Sequence, residues 1–252
     1  MSAAPTPPEP TSSEPGVAVV IGVGPGLGMS IAHRFGREGY AVALVSRGDT
    51  RHADYVASLA AAGIEAGAYV ADVRDSEQLG SVLDTVAERY GHIDVVYYGP
   101  GALDLDARPK SITEADSADV REAMSWMYPA VDVVNRVLPG MVERGGGALV
   151  FAGGLSAVVP MPTLGALAVS SAALRNYALT LNAALSDRKI YVGNLVIGGL
   201  IERGDIHGYV TAHPERFGNL ADRTLDPDEI ADAAWELAAR RDRAEETFSV
   251  LG

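Results

Sequence analysis

The chain of 252 residues contains no cysteine and only two lysines, Lys110 and Lys189. The absence of cysteine excludes disulfides, thiolate nucleophiles, cysteine-ligated zinc and iron–sulfur clusters. No apolar run approaches the roughly 18 residues that a membrane-spanning helix needs, and the N-terminus lacks the basic-then-apolar pattern of a signal peptide. These absences predict a soluble protein without membrane attachment, which we expect to be cytoplasmic.

Acidic residues outnumber basic ones, because 33 Asp and Glu against 20 Lys and Arg give a net charge of −13. This balance argues against a nucleic-acid partner. No group of His, Asp and Glu has metal-ligand spacing, so we expect no metal site. A hydrophobic content of 48% is enough to build a substantial core in one α/β domain of this length.

The chain divides into a short tail and one long domain. Residues 1–16 carry five prolines and almost nothing apolar, which predicts a disordered tail. From Val17 onward, short apolar runs alternate with amphipathic segments. The strands are predicted at 17–22, 41–46, 65–73, 93–98, 148–153, 190–197 and 247–252, and the helices at 29–39, 51–62, 76–91, 113–143, 163–186 and 226–240. This alternation indicates a Rossmann-type α/β domain over 17–252, with a doubly wound parallel sheet and helices on both faces.

Two stretches of the domain are less regular. The helix predicted at 113–143 contains Pro129 and Pro139, which are expected to kink or split it. Residues 198–225 hold scattered Gly, His and Pro, which predicts a loop or lid. The last helix is expected to begin with Asp226 as its N-cap.

A glycine-rich turn, Gly22-Val23-Gly24-Pro25-Gly26-Leu27-Gly28, joins the first strand to the first helix. Glycine permits the tight turn, lets the backbone approach a pyrophosphate, and lets the helix pack closely on the strand. The helix N-terminus offers free N–H groups to the phosphates. The motif in this position predicts dinucleotide binding through Gly22, Gly24, Gly26, Leu27 and Gly28. The alternative is a turn that needs glycine for steric reasons alone.

The second strand ends in Ser46-Arg47, at the position where an acidic residue binds the ribose 2′-hydroxyl of NAD. Arg47 is suited instead to a 2′-phosphate, which favours NADP(H) over NAD(H). The alternative is an arginine that is simply solvated after a strand. Three further residues are predicted at the cofactor: Asp72 and Val73 beside the adenine, and Gly99 just past the fourth strand.

Residues 17–252 carry several motifs of one known family. They are the glycines at 22, 26 and 28, spaced as in T-G-x-x-x-G-x-G, the pair Asp72-Val73, the run Leu138-Pro139-Gly140-Met141 and the run Ala172-Ala173-Leu174. In these motifs the chain resembles the short-chain dehydrogenase/reductase family. The resemblance implies an oxidoreductase, and a homodimer or homotetramer assembled through the 163–186 helix and the helix before it.

The family's Asn-Ser-Tyr-Lys catalytic set has no match in a comparison without gaps. Its four positions fall on Trp126, Gly154, Leu167 and Ser171. In the family the tyrosine exchanges the carbonyl proton and the lysine lowers its pKa, and a positioned acid or base contributes about 10²–10⁴-fold in rate. The resemblance therefore implies a non-standard active site. Trp126 and Leu167, in place of polar catalysts, predict an apolar pocket for a small hydrophobic substrate.

Tyr98 and His207 are the candidate replacement catalysts. Open α/β sheets bind ligands outside the carboxyl ends of their strands, where Tyr98 stands, although a packed aromatic is the alternative. His207 in the 198–225 segment can exchange protons near neutral pH, or it is an ordinary loop histidine. Three functions stay open: an NADP(H)-dependent oxidoreductase with a non-standard site, a non-redox isomerase, dehydratase or cyclase, and a ligand-binding pseudoenzyme.

Overall fold

The computed structural model describes residues 16–101 and 109–251. The predicted disordered tail lies outside these residues, apart from Gly16. The carbonyl of Gly16 accepts a hydrogen bond of 2.8 Å from the backbone N–H of Ala41, so regular pairing begins directly before the first strand.

A parallel sheet of seven strands forms the centre of the described chain, in the order β3-β2-β1-β4-β5-β6-β9. Its strands are β1 (Val17–Ile21), β2 (Ala41–Ser46), β3 (Ala66–Val70), β4 (Val95–Tyr98), β5 (Gly147–Gly154), β6 (Ile190–Gly198) and β9 (Glu245–Ser249). The first six follow the Rossmann order, and β9 extends the sheet beyond β6. The predicted fold class is confirmed, while the last strand starts two residues before its predicted range of 247–252.

Helices cover both faces of this sheet. They are α1 (Leu27–Arg37), α2 (His52–Ala61), α3 (Ser76–Tyr90), α4 (Ser117–Met124), α5 (Tyr128–Arg144), α6 (Ala166–Leu185), α7 (Asp205–Ala212), α8 (Pro214–Phe217) and α9 (Pro227–Arg240). One buried cluster packs α3, α5 and α6 on the sheet, and the other packs α1, α2 and α9. β1 contributes Val17, Val19 and Ile21 to the first cluster and Ala18 and Val20 to the second. Because successive side chains point to opposite faces, a strand covered on both sides is apolar throughout.

The segment predicted as one helix over 113–143 forms two, α4 and α5, separated at residues 125–127. Pro129 lies in the first turn of α5, where its missing N–H has no intrahelical partner to lose. Pro139 is inside α5 and does not split it. Val137 and Met141 are buried on either side of Pro139, so packing on the sheet holds the helix together.

The segment at 198–225 is more structured than the predicted loop. It contains α7, α8 and a pair of two-residue strands, β7 (Leu200–Ile201) and β8 (Thr224–Leu225). Elements this short have too few residues to show a helical or strand period in the sequence. Asp226 caps α9 as predicted, because its Oδ1 accepts a hydrogen bond of 2.8 Å from the N–H of Asp228.

The sheet edge at β9 is held to α6 by a half-buried ion pair. Arg175 donates from Nε and Nη2 to the two carboxylate oxygens of Glu245 at 2.6 and 2.8 Å, and Asn194 Nδ2 donates to the same carboxylate at 2.9 Å. Arg175→Met keeps an apolar stem but leaves a half-buried carboxylate without its cation. We expect this variant to lower the free energy of unfolding by about 2 kcal/mol, measured by urea denaturation.

Arg136 provides the matched control, because it also donates to both oxygens of a carboxylate, that of Asp84. The two side chains of this pair are 53% and 43% exposed. Exposed pairs contribute about 1 kcal/mol or less, so Arg136→Met is expected to have a small effect. Equal losses in the two variants would show that burial does not decide the strength of the Arg175 pair.

Candidate functional site

The glycine-rich turn lies at the carboxyl edge of the sheet, between β1 and α1. The N–H groups of Gly22 and Val23 donate to the carbonyl of Val45 in β2 at 2.9 and 3.1 Å, which fixes the turn to the neighbouring strand. Gly22 has φ +91°, and a Cβ there would lie 2.6 Å from the backbone of Pro100. A Cβ on Gly28 would lie 2.7 Å from Cα of Val23. Both positions therefore need glycine for steric reasons.

Gly24 differs from these two glycines, because no atom lies within 4 Å of a Cβ built on it. No side chain caps α1, and its first turn carries no acidic residue. The first N–H groups of a helix lack intrahelical partners and carry the positive end of the helix dipole. The open space over Gly24 and the uncapped helix therefore fit a phosphate group, and steric need alone does not account for Gly24.

A cavity of about 730 Å³ extends from this turn along the carboxyl edge of the sheet. Its walls are the turn, the ends of β4, β5 and β6, the first half of α6 and the start of α7. Its lining is mainly apolar, and Asp205 is the one charged side chain that the described residues place in it. The cavity lies where the strand order reverses between β1 and β4, the usual ligand site of an open α/β sheet.

Three of the four positions onto which the comparison without gaps places the family's catalytic set line this cavity: Trp126, Gly154 and Ser171. A Cβ on Gly154 would lie 3.5 Å from Ser156 Oγ and 3.7 Å from Ser171 Oγ, so two hydroxyl groups flank this glycine. Leu167 is half-buried one turn of α6 before Ser171 and does not line the cavity. The expectation that Leu167 forms part of the apolar wall is therefore corrected.

Tyr98 lines the cavity, but its hydroxyl group is already engaged. The side chain is buried, and Oη donates a hydrogen bond of 2.7 Å to the carbonyl of Trp126. Burial raises the pKa of Tyr98, and the nearby charge of Asp132 adds to this effect. These contacts favour the packed aromatic over the catalyst. His207 lies half-buried on α7 and does not line the cavity.

The residues predicted around the adenosine lie beside the turn, outside the cavity. Gly99 lines the cavity, whereas the other four residues lie outside it: Ser46 is the last residue of β2, Arg47 follows it, and Asp72 and Val73 follow β3. Arg47 is exposed. The pKa of Asp72 is lowered, first by a hydrogen bond from the backbone of Arg74 and to a smaller extent by the charge of Arg47. The cation paired with Asp72 is Arg74, whose Nε lies 3.6 Å from Oδ1 of that carboxylate.

A comparison with models of protein families identifies the family of this chain. The model of the short chain dehydrogenases matches residues 16–209, which is more than half of the chain. The chain belongs to the short chain dehydrogenase family. A 1-deoxy-11-beta-hydroxypentalenate dehydrogenase of Streptomyces exfoliatus is 28% identical over 222 residues, 87% of this chain and 78% of that protein. A proposed ketoacyl reductase of Streptomyces coelicolor is 32% identical over 140 residues, so this match spans about half of each chain, 53% and 51%.

Solved structures share the fold of this chain over nearly its whole length. The L-sorbose reductase of Gluconobacter frateurii complexed with NADPH and L-sorbose is 24% identical with a TM-score of 0.77, covering 94% of this chain and 95% of that one. A short chain oxidoreductase of Pseudomonas aeruginosa PAO1 containing an atypical catalytic center is 22% identical with a TM-score of 0.81, covering 94% and 97%. At these identities the likeness establishes the fold.

The sequence reasoning missed two polar groups at or beside the candidate site. His52 is buried at the start of α2, and its Nε2 lies 2.7 Å from Ser46 Oγ at the end of β2. Asp205 lines the cavity from the start of α7. In the sequence, the sign of this contact was that His52 follows Ser46, the end of β2, by six residues. Asp205 reaches the site only because the 198–225 segment folds back over the glycine-rich turn.

Two negative findings complete the description of the site. Within residues 16–101 and 109–251, no three His, Asp or Glu side chains converge on a position for a metal ion. No helix in this described part of the chain combines the length and the apolar character needed to cross a membrane.

Proposed function

We propose that this short chain dehydrogenase is an NADP(H)-dependent oxidoreductase that acts on a small hydrophobic substrate through a non-standard active site. The observation that carries the proposal is the open space over Gly24, at the uncapped start of α1, which leads directly into the apolar cavity. A nicotinamide cofactor supplies or accepts hydride when bound. The related L-sorbose reductase, which was crystallised with NADPH, supports this cofactor class.

The chain's own groups divide the binding of NADP(H) between them. Backbone N–H groups of the glycine-rich turn hold the pyrophosphate. Arg47 would face the 2′-phosphate, and the end of β2 carries no acidic residue that would bind a free 2′-hydroxyl. Asp72 and Val73 would lie beside the adenine. This distribution supports a preference for NADP(H).

The substrate half of the cavity is suited to an apolar molecule. Trp126, Leu155 and Leu174 contribute to its wall, and Ser171 supplies a hydroxyl group. Neither lysine of the chain lines the cavity. With the hydroxyl of Tyr98 committed to a backbone carbonyl, we propose hydride transfer to an activated C=C or iminium group, which needs less acid catalysis than a ketone. The absence of lysine from the cavity wall and the engaged hydroxyl of Tyr98 also favour a second candidate, a ligand-binding protein without turnover.

The two tryptophans allow a direct test of cofactor binding. Trp126 lines the cavity, whereas Trp235 packs against Phe35 and Tyr40 with ring centroids 5.4 and 6.0 Å apart. Reduced nicotinamide absorbs where tryptophan emits, so bound NADPH is expected to quench Trp126. We expect saturable quenching with a dissociation constant below about 1 mM. Trp126→Phe should reduce the quenching more than Trp235→Phe does, because Trp126 lines the cavity. If neither NADPH nor NADH binds in this range, the proposed cofactor is wrong.

Arg47→Ala tests the choice between the two cofactors. Loss of a charge-assisted hydrogen bond to the 2′-phosphate is expected to weaken NADPH about tenfold and to leave NADH unchanged. The control is Arg188→Ala, an exposed arginine between α6 and β6, at the opposite edge of the sheet. A parallel loss of both cofactors in Arg47→Ala would contradict a contact with the 2′-phosphate.

A further inference from the structure

An ion pair lies on the rim of the cavity beside the glycine-rich turn. Arg51, the residue before α2, contacts both carboxylate oxygens of Asp205 at 2.8 Å from its two terminal nitrogens. Asp205 is the first residue of α7 and lines the cavity. The two side chains are 51% and 54% exposed. The guanidinium group of Arg51 is therefore held at the rim by a carboxylate that faces the ligand site.

The start of α7 lies directly against the turn. A Cβ on Gly26 would lie 2.9 Å from the carbonyl oxygen of Glu202 and 3.0 Å from the backbone nitrogen of Gly204. Asp205 is the next residue in the chain. A dinucleotide with its phosphates on the turn therefore passes next to Asp205 and to the guanidinium group that this carboxylate holds.

The residues after β2 follow the same rim. The turn is hydrogen-bonded to the carbonyl of Val45, so Ser46 and Arg47 emerge beside it, and Arg51 follows before α2 begins. An exposed ion pair contributes little to stability. A phosphate accepts short, charge-assisted and often bidentate hydrogen bonds from arginine. Arg51 can therefore exchange Asp205 for a phosphate at small cost to the fold.

We propose that Asp205 competes with the 2′-phosphate of NADP(H) for Arg51, and thereby sets how strongly the chain prefers NADP(H) over NAD(H). NAD(H) has a hydroxyl group at this position and leaves the Arg51–Asp205 pair intact. The inference rests on the proposed function, since it requires a dinucleotide on the turn. α7 does not depend on this pair alone, because Arg203 separately contacts Asp228 at 2.8 Å and Ser30 at 3.2 Å.

The test is Asp205→Asn, titrated with NADPH and NADH through the quenching of Trp126. The amide keeps the shape of the side chain and removes its charge. We expect NADPH to bind about two- to fivefold more tightly, as expected when an exposed ion pair no longer has to be broken. We expect the affinity for NADH to stay the same. Calorimetric titration with 2′,5′-ADP, which carries the 2′-phosphate, and with 5′-AMP, which lacks it, tests the same difference without the nicotinamide. Asp205→Asn should bind 2′,5′-ADP more tightly and 5′-AMP equally well.

Two further variants separate the pair from a general change of charge. In the Arg51→Ala background, Asp205→Asn is expected to give no gain in NADPH affinity, because no arginine is released. An undiminished gain in that background would overturn the proposal in favour of a through-space effect of the lost charge. Asp228→Asn removes the same charge from the Arg203–Asp228 pair and is expected to leave the affinities for NADPH and NADH unchanged. A gain in NADPH affinity equal to that of Asp205→Asn would also overturn the proposal.

The outcomes distinguish this inference from the function on which it rests. If the unmodified chain binds neither NADPH nor NADH, the proposed function fails. If it binds both and Asp205→Asn leaves the ratio of their affinities unchanged, the competition for Arg51 fails and the proposed function stands.

Discussion

Replacement of Gly165 by alanine is expected to lower the free energy of unfolding by about 3 kcal/mol. Gly165 precedes α6 with φ +49° and ψ −123°, a conformation that side chains rarely adopt. A Cβ there would overlap the carbonyl oxygen of Lys110. The N–H of Ile112 donates to the carbonyl of Pro162 at 2.8 Å, so the two segments are joined through their backbones. No change of side-chain rotamer relieves such a contact.

Urea denaturation measures this loss, and Gly80→Ala is the matched control. Gly80 lies inside α3, and nothing lies within 4 Å of a Cβ built on it. Alanine there is expected to stabilise the protein by about 0.5–1 kcal/mol, because glycine is a poor helix former. If the two variants had the same stability, the contact with Lys110 would not be a constraint on the fold. A folded Gly165→Ala variant is also expected to bind NADPH more weakly, since α6 carries Ser171 and Leu174 into the cavity.

The parts of the fold that depend on neighbours in sequence were predictable. Most strands of the central sheet show as short apolar runs, whereas β9 begins with Glu245 and Glu246 and its start was misplaced. The glycine-rich turn is local to seven residues, Gly22 to Gly28. The same reasoning placed Asp226 at the start of α9, where its side chain accepts the hydrogen bond of an N-cap. Each of these features depends on residues that are close together in the sequence, so a short stretch of sequence is enough to predict it.

The features that depend on distant contacts were not predictable. Arg51 and Asp205 are 154 residues apart, and no pattern in either segment indicates that they meet. The need for glycine at position 165 comes from the carbonyl of Lys110. The commitment of the Tyr98 hydroxyl to the carbonyl of Trp126 likewise depends on where α4 ends. Sequence reasoning thus located the glycine-rich turn at the carboxyl edge of the sheet, and the contacts of the individual polar groups around it required the folded chain.

The arrangement of the site indicates how ordinary ketone chemistry can be introduced. Ser171 Oγ lies 3.7 Å from the position of a Cβ on Gly154, so side chains at these two positions meet in the cavity. Leu167 is four residues before Ser171 on α6, and residues with this spacing share one face of a helix. A tyrosine at 167 is longer than leucine, and we expect it to reach the cavity next to a lysine at 171, whose charge would lower its pKa.

We therefore expect the combined variant Gly154→Ser, Leu167→Tyr, Ser171→Lys to reduce a hydrophobic ketone such as cyclohexanone about 10²–10⁴-fold faster than the unmodified chain, because it gains a positioned proton donor. The oxidation of NADPH measures the rate, and quenching of Trp126 confirms that the variant binds the cofactor. The matched control carries Leu167→Phe in place of Leu167→Tyr, which supplies the same ring without the hydroxyl group, and is expected to show no gain.

Comparable rates in the tyrosine and phenylalanine variants would mean that the phenol does not reach the substrate. Equally fast reduction by the unmodified chain would mean that it already holds a proton donor of its own, and the proposed non-standard active site would have to be reassigned around that group.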